Sequence, residues 1–303
     1  MNFTNKMGFP EPDFNAFVHA YGDYDMGEAQ ISANGLILSP RQRILFDRHK
    51  DELTIDVSDM VRLFGGKVGH DYIARHGGTG NFVQEERLFI DIDGWTVSGC
   101  YDLLTLDDPI TLWDRKWTSV WAFILGGKSE WEKQLNIYRC MVKKCKDLDA
   151  VNLRIMAYFT DWRDSEQKRN PMEYPDGSAF PFEVKPQPYA DFGAWMVERV
   201  DLHRRAEDLA DDDLPLCTDE ERWNRDFDWA VYKVVKGKKA QKATRVFRPK
   251  NGQTEADAKA YADSMEKGMY EVVFRPGSST KCSRYCLPGL CGKCNWWNEH
   301  KDD

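Results

Sequence analysis

ERLFIDIDGWTVSGCYDLLTLDDPITLWDRKWTSVWAFILGGKSEWEKQLNIYRC, residues 86–140, decides the fold. Residues 88–92 and 95–104 are alternating apolar runs around Asp93-Gly94, the pattern of two strands joined by a tight hairpin turn. A third apolar run, residues 110–113, leads straight into Asp114-Arg115-Lys116. From about residue 129 to 144 the apolar spacing becomes helical, with Trp131, Leu135 and Tyr138 on one side. Strand residues two apart share a face. Asp114 and Lys116 therefore face one pocket, and Asp102 reaches it from the neighbouring strand. Two carboxylates and a lysine so disposed suit phosphodiester hydrolysis. Hard divalent cations such as Mg2+ take carboxylate oxygens, water and phosphate, and polarise the scissile group. A nearby lysine orients the attacking water and stabilises charge on the phosphoryl oxygens. Asp-x-Lys alone also describes a surface ion pair at a strand end, so its companions carry the argument.

Those companions are ordered. Gly99-Cys100-Tyr101-Asp102, then Asp114-Arg115-Lys116, then Gln134-Leu135-Asn136-Ile137-Tyr138 resemble the successive motifs of the PD-(D/E)XK nuclease superfamily. More narrowly they resemble its RecB-like exonuclease branch, which includes phage-type members and the CRISPR-adaptation iron–sulfur nucleases. That branch carries a metal-binding histidine in an upstream Gly-x-x-x-His helix, and Gly66-Lys67-Val68-Gly69-His70 matches it. The resemblance covers roughly residues 32–145, with an echo at the C-terminus.

The resemblance implies an α/β fold with a restriction-endonuclease-like core, a mixed central sheet flanked by helices. It implies a metal-dependent DNA nuclease, an exonuclease working from a DNA end in recombination, replication or repair. His70, Asp102, Asp114 and the backbone carbonyl of Arg115 would surround Mg2+ or Mn2+. Lys116 would assist the attacking water, and Gln134 and Tyr138 would support the site. DNA is the implied partner, with recombination or single-strand-binding proteins as further candidates. Two other readings stand beside it: a nucleic-acid-binding adaptor that kept the fold, and a nuclease subunit active only within a larger recombination complex.

The 303 residues suffice for a sizeable core in one large domain or two modest ones. No apolar run approaches the roughly 20 residues of a membrane span. The opening MNFTNKMGFPEPDF lacks a basic region followed by an apolar stretch, so no secretory signal is expected. The expected setting is the cytoplasm (the host's, if the chain is viral). A net charge of −8 argues against a wholly basic nucleic-acid binder but leaves room for a local basic groove.

Residues 1–31 lack a clear period and read as an irregular arm. Residues 32–49 read as a helical pair with a turn near Ser39-Pro40. In the resembling branch this region carries Cys-Pro-Arg, whose cysteine ligates an iron–sulfur cluster in some members; serine stands there in this chain. Arg41 and Arg43 would touch a DNA backbone or else be solvated helix residues. Residues 57–76 read as a helix with a glycine-rich middle that brings His70 close to the sheet. Glu85 and Glu86 precede the first core strand; one would hold an active-site water or line the DNA path, or both are solvated acids. Past Lys116, Thr118 and Ser119 offer hydroxyls to phosphate, and Trp117 either stacks on bases or packs the core.

Residues 151–160 read as a further strand, 161–188 as a long Pro-rich loop or lid, and 189–209 as a helix. Residues 230–276 read as a ββαβ accessory module, with strands at 230–235 and 243–247, a helix at 254–267 and a strand at 270–274. Lys236, Lys238 and Lys239 crown its basic turn; with Lys242, Arg245 and Arg248 they would form a phosphate-binding patch. The expected division is thus a nuclease domain at 1–229, this module, and a tail at 277–303. The tail carries Cys282, Cys286, Cys291 and Cys294 at spacings whose thiolates can converge on one ion, a structural Zn2+ or an iron–sulfur cluster. Cys100, Cys140, Cys145 and Cys217 read as scattered free thiols.

Overall fold

The computed structural model describes residues 1–22, 25–265 and 268–301. Two residues of the expected N-terminal arm, the last two residues of the expected 254–267 helix and the last two of the tail lie outside the described residues. The chain forms two compact units, one of Met1–Arg43 and Thr54–Leu209, the other of Ile44–Leu53 and Ala210–Asp303. The accessory module and the tail, separated at the sequence level, fall in one unit, which also takes in a segment from near the N-terminus.

The first unit opens on β1 (Asn2–Thr4) and α1 (Glu11–Gly22), where an irregular arm was expected. Phe14, Phe17 and Tyr21 recur at helical spacing, and Pro12 is tolerated because it lies in the first turn. Phe17 is buried with Val57 and Met60, and Phe3, Phe9 and Phe64 pack around them. Next come β2 (Ile31–Ser32), α2 (Ala33–Ile37), α3 (Pro40–His49) and β3 (Thr54–Asp56), the last pairing in parallel with β1. Ser32 caps α2, its hydroxyl accepting from Gly35 N–H. Ser39 does the same for α3, accepting from Gln42 N–H at 3.1 Å, with Pro40 at the first helical position. A short 3-10 turn leads into α4 (Val61–His76).

The hairpin follows as β4 (Phe82–Ile92) and β5 (Trp95–Thr105), with Ile92 opposite Trp95. Asp93 and Gly94 both have positive φ, at 50° and 80°, as the expected two-residue turn requires. The strands are longer than the apolar run suggested, so Glu85 and Glu86 lie inside β4 rather than before it. β6 (Thr111–Thr118) leads through the short α5 (Trp121–Ile124) and α6 (Ser129–Lys146) to β7 (Asn152–Phe159), parallel to β6. That parallel pairing needs such a crossover.

Residues 161–188 form more than a lid. They hold α7 (Asp164–Arg169) and β8 (Ala179–Val184), which pairs antiparallel with β7. Phe180, Phe182 and Val184 turn inward at period two, Phe180 and Phe182 against Phe123. Pro181 is tolerated because β8 is an edge strand. α8 (Tyr189–Ala206) completes the unit. The resulting sheet is mixed and six-stranded: β4 lies along one edge of β5, β2 and β6 share the other, and β7 and β8 follow. α6 lies over it with Leu135, Ile137, Met141 and Val142 fully buried. Gly99 of β5 permits the approach, since a Cβ there would meet Met141 Sδ at 2.7 Å and Tyr138 Cε1 at 2.9 Å.

The second unit contains β9 (Asn224–Arg225), β10 (Asp228–Val235), β11 (Lys238–Lys239), β12 (Arg245–Phe247), α9 (Glu255–Asp263), β13 (Met269–Arg275) and β14 (Ser278–Ser279). β10 is central, with β11 and β12 along one edge and β13 along the other, and α9 starts at a capping box of Thr254 and Asp257. Val231, Phe247 and Ala258 form its small core. The tail follows as α10 (Thr280–Arg284), α11 (Leu287–Leu290) and α12 (Asn295–His300). No helix among the described residues is long and apolar enough to cross a membrane.

Candidate metal and catalytic site

β5 and β6 pair only from Leu103↔Trp113 to Thr105↔Thr111, then part. Asp102 and Asp114 stand where the ladder ends. There the Asp102 carboxylate takes over as acceptor: Arg115 N–H donates to its Oδ2 at 2.5 Å. Splayed strands and short acidic side chains therefore create a cleft at the end of the hydrogen-bonded ladder. Asp114 is 1% exposed, and its Oδ2 meets no hydrogen-bond donor of good geometry; Lys116 Nζ lies 2.6 Å away as its ion-pair partner. Lys116 Nζ also donates to Gln134 Oε1 at 2.8 Å, and Gln134 Nε2 donates to the Tyr138 hydroxyl at 2.9 Å. The one-turn spacing of Gln134 and Tyr138 on α6 thus builds a relay that fixes the lysine against its carboxylate.

α4 brings His70 from the other side. Its Nδ1 lies 3.3 Å from Glu85 Oε1 and 3.6 Å from Asp102 Oδ1, and its Nε2 lies 3.3 Å from the Arg115 carbonyl oxygen. Gly69, rather than Gly66, makes the approach possible. A Cβ at Gly69 would fall 2.1 Å from the Trp117 ring, whereas one at Gly66 would meet nothing. His70, Glu85 and Asp102 each bring one ligand atom within 4.8 Å of the others. This donor set, with the buried Asp114 oxygen beside it, fits a divalent cation of the Mg2+ or Mn2+ type, the imidazole suiting the softer ion.

Glu85 was only one of two alternatives in the sequence. The flanking pairs Gln84↔Leu103 and Glu86↔Tyr101 bracket it opposite Asp102. Its φ of 50° lies in the left-handed region, uncommon for a non-glycine residue in mid-strand and costing of order 1 kcal/mol or more. Glu86 turns to the opposite face, where it accepts from the Tyr101 hydroxyl and pairs with Lys146 at 2.8 Å. Only the alternation of the strand, extended past its apolar run, distinguishes the two.

Charge is concentrated here. Burial, and next the charge of Asp114, push the Asp102 carboxyl well above the usual carboxylate range. Burial acts to lower His70, but the Glu85 hydrogen bond and the charges of Asp102, Glu85 and Asp114 outweigh it and raise the imidazole. Lys128 is lowered chiefly by burial; the charge of Glu130 opposes this, and those of Arg62 and Lys116 add to it. Neither Arg62 nor Lys128 carried a signal in the sequence.

The other expected contacts are distributed differently. Arg41 is 3% exposed. Arg43 donates to His203 Nδ1 at 3.1 Å and pairs with Glu207 at 2.5 Å, so its guanidinium serves the interior of its unit. Trp117 stacks on Tyr158 at 4.7 Å and packs beside His70, Thr118 is buried, and Ser119 donates to Asp161 at 2.6 Å. These three therefore build the wall of the cleft. Lys236, Lys238 and Lys239 are exposed on the hairpin of the other unit. Cys282 and Cys294 are buried, Cys286 and Cys291 half-buried, and no disulfide is formed among the described residues.

No protein-family model and no curated protein matches this chain. Among solved structures, similarity is found to the one titled "Crystal structure of SSO0001", at 14% identity and a TM-score of 0.40, over 63% of this chain and 84% of that one; a likeness of this extent carries no argument about function.

Proposed function

We propose that the chain is a metal-dependent DNA nuclease with a restriction-endonuclease-like core of the RecB-like exonuclease branch. On this reading it hydrolyses phosphodiester bonds from a DNA end in cytoplasmic recombination, replication or repair. The observation that carries the reading is the convergence of Asp102, Asp114, Lys116, Glu85 and His70 at the parting of β5 and β6, with Gln134 and Tyr138 bracing the lysine.

When bound there, a divalent cation supplies Lewis-acid polarisation of the scissile phosphate. The chain's residues do the rest. Asp102, Asp114, Glu85, His70 and the Arg115 carbonyl form the receiving cage. Lys116, its ammonium held at a fixed point, donates to the attacking water or to the developing phosphoryl charge. Lys128 and Arg62 attract the neighbouring phosphate. Cysteines of the C-terminal tail belong to a separate, structural metal centre.

The test is digestion of end-labelled linear and closed circular DNA with Mg2+ or Mn2+. Linear DNA is expected to be degraded and circles spared. Lys116→Ala and Asp114→Asn are expected to lower turnover by roughly two to four orders of magnitude at unchanged fold, because both act in the transition state. Near-normal turnover in either variant would assign the chemistry elsewhere; binding without cleavage by the wild type would make the protein an adaptor.

A further inference from the structure

Between Asp114 and Lys116 the sequence assigns a role to the backbone of Arg115 but none to its side chain, which alternation along β6 turns away from theirs. That side chain is nevertheless buried, with Arg115 only 7% exposed. A buried arginine is tolerated where its donors are met. Here Nη1 donates to the Asp102 carbonyl oxygen at 3.4 Å and lies 3.5 Å from Glu85 Oε1, while Nη2 donates to Gln84 Oε1 at 3.2 Å. The guanidinium thus ties β6 across β5 to β4, at the level where β5 and β6 have ceased to pair.

Glu85 Oε1, which it meets, is the oxygen that lies 3.3 Å from His70 Nδ1. Arg115 therefore touches three members of the cage through three of its groups. Its N–H donates to Asp102 Oδ2, its carbonyl oxygen lies 3.3 Å from His70 Nε2, and its guanidinium meets Glu85. Gln84 and Glu85 are neighbours, and a regular strand would send their side chains to opposite faces. One guanidinium meets both, and the residue that departs from regular strand geometry is Glu85, with its φ of 50°. Such a backbone persists only where surrounding contacts hold it. The charged contact with a buried guanidinium is a restraint of that kind. Lysine would keep the charge but lose the fork. An ammonium is a point donor on a flexible stem, whereas the planar guanidinium serves Gln84, Glu85 and Asp102 in one orientation.

We propose that the Arg115 side chain is a positioning residue of the cation site: it holds Glu85, against its backbone preference, where its carboxylate joins Asp102 and the His70 imidazole. This rests on the cation site of the proposed nuclease and is independent of which polymer is cleaved. A permanent charge beside a ligand oxygen also repels a cation, so the variants must separate position from charge.

The test is calorimetric titration of the full-length protein with Mn2+, with circular dichroism to show that each variant is folded. Glu85→Gln is expected to bind roughly tenfold more weakly than wild type, and Arg115→Lys, which keeps the charge, to lose a similar factor. The double variant Arg115→Lys/Glu85→Gln is expected to bind no more weakly than Glu85→Gln alone, because the lysine acts only through Glu85. A merely structural arginine would give a second loss in that background. Losses that multiply therefore overturn the proposal, as does unaltered binding by Arg115→Lys or by Glu85→Gln. If Arg115→Lys does not fold, Gln84→Ala removes one anchor of the guanidinium without uncovering a buried charge. It is expected to weaken binding about threefold in wild type and not at all in Glu85→Gln; unchanged binding by Gln84→Ala in wild type then overturns the proposal. Wild type that binds no Mn2+ removes the cation site and the nuclease with it. Binding that Glu85→Gln leaves intact removes the role of Arg115 alone.

Discussion

Asp102 is the residue most at odds with its surroundings. A carboxylate buried beside Asp114 is disfavoured in its charged form, because His70, Lys116 and the Arg115 N–H offset only part of the desolvation and repulsion. Its folded pKa is raised, so the folded chain keeps a proton that the unfolded chain has lost. Ion-free protein therefore loses stability as pH rises from the ordinary aspartate range through the raised value. His70 acts in the same sense: its raised pKa contributes stability below the unfolded value, and that contribution disappears as pH climbs through the folded one. A melting temperature that falls between about pH 4 and about pH 7 without divalent cation is expected, and Asp102→Asn should flatten the fall and raise the midpoint at its upper end. Calorimetric titration with Mn2+ should show affinity rising over the same window with release of protons, since cation and protons compete for the same atoms. A flat profile in both measurements would remove Asp102 and His70 from the cation's surroundings.

At the scale of elements, two glycines set the distances on which the site depends. Gly99 admits α6, and Gly69 admits α4. Replacing Gly69 by Ala drives a methyl into the Trp117 ring, which is itself braced on Tyr158 and cannot yield freely. A loss of about 1–3 kcal/mol is expected from such overpacking, with His70 displaced and cation affinity lowered; Gly66→Ala, facing open space, should change neither. Denaturant titration of the two variants compares them directly. The β10–β11 hairpin provides a different test. Its turn presents Lys236, Lys238 and Lys239 to solvent, with Lys239 loosely paired to Glu271 at 3.3 Å. If this hairpin tracks DNA phosphates, the triple alanine variant should weaken binding equally across sequences. Each lost phosphate contact should reduce the slope of log affinity against log salt by about 0.9. An unchanged slope would make the hairpin a solvated surface.

At the scale of the whole molecule, the discontinuous second unit matters most. Ile44, Leu45 and Leu53 belong to it and are 0–2% exposed, although they precede the cleft in sequence. Asp211 accepts from Arg48 at 2.7 Å, and Lys293 pairs with Glu52, binding the early segment to the late one. A chain ending at residue 209 would leave these apolar side chains without their own unit, forfeiting of order 1.5–3 kcal/mol for each. Such a truncation is expected to be poorly soluble and to bind a hydrophobic dye, even though the cleft lies wholly in residues it retains. A soluble, cooperatively melting 1–209 fragment would show that the early segment is dispensable.

The sequence by itself determined the hairpin, the Asp-x-Lys strand and the Gln-x-x-x-Tyr helix, because each is written in local periods: alternation at two, a turn demanding positive φ, a face repeating every fourth residue. Asp114, Lys116, Gln134 and Tyr138 were legible for that reason, and their contacts follow from the periods. The tertiary structure decided what local periods do not encode. Glu85 joins Asp102 only because β4 runs beyond its apolar stretch. Arg43 faces inward only because α8 brings His203 and Glu207 to it. β8 forms despite Pro181 only because β7 offers an edge that needs no donor from proline. Residues 222–225 reach the tail across more than 50 residues, through strand pairing and a backbone hydrogen bond that leave no spacing to read. Such contacts arise from burial and pairing between remote segments, where what matters is the partner surface, and a single stretch of sequence carries only half of it.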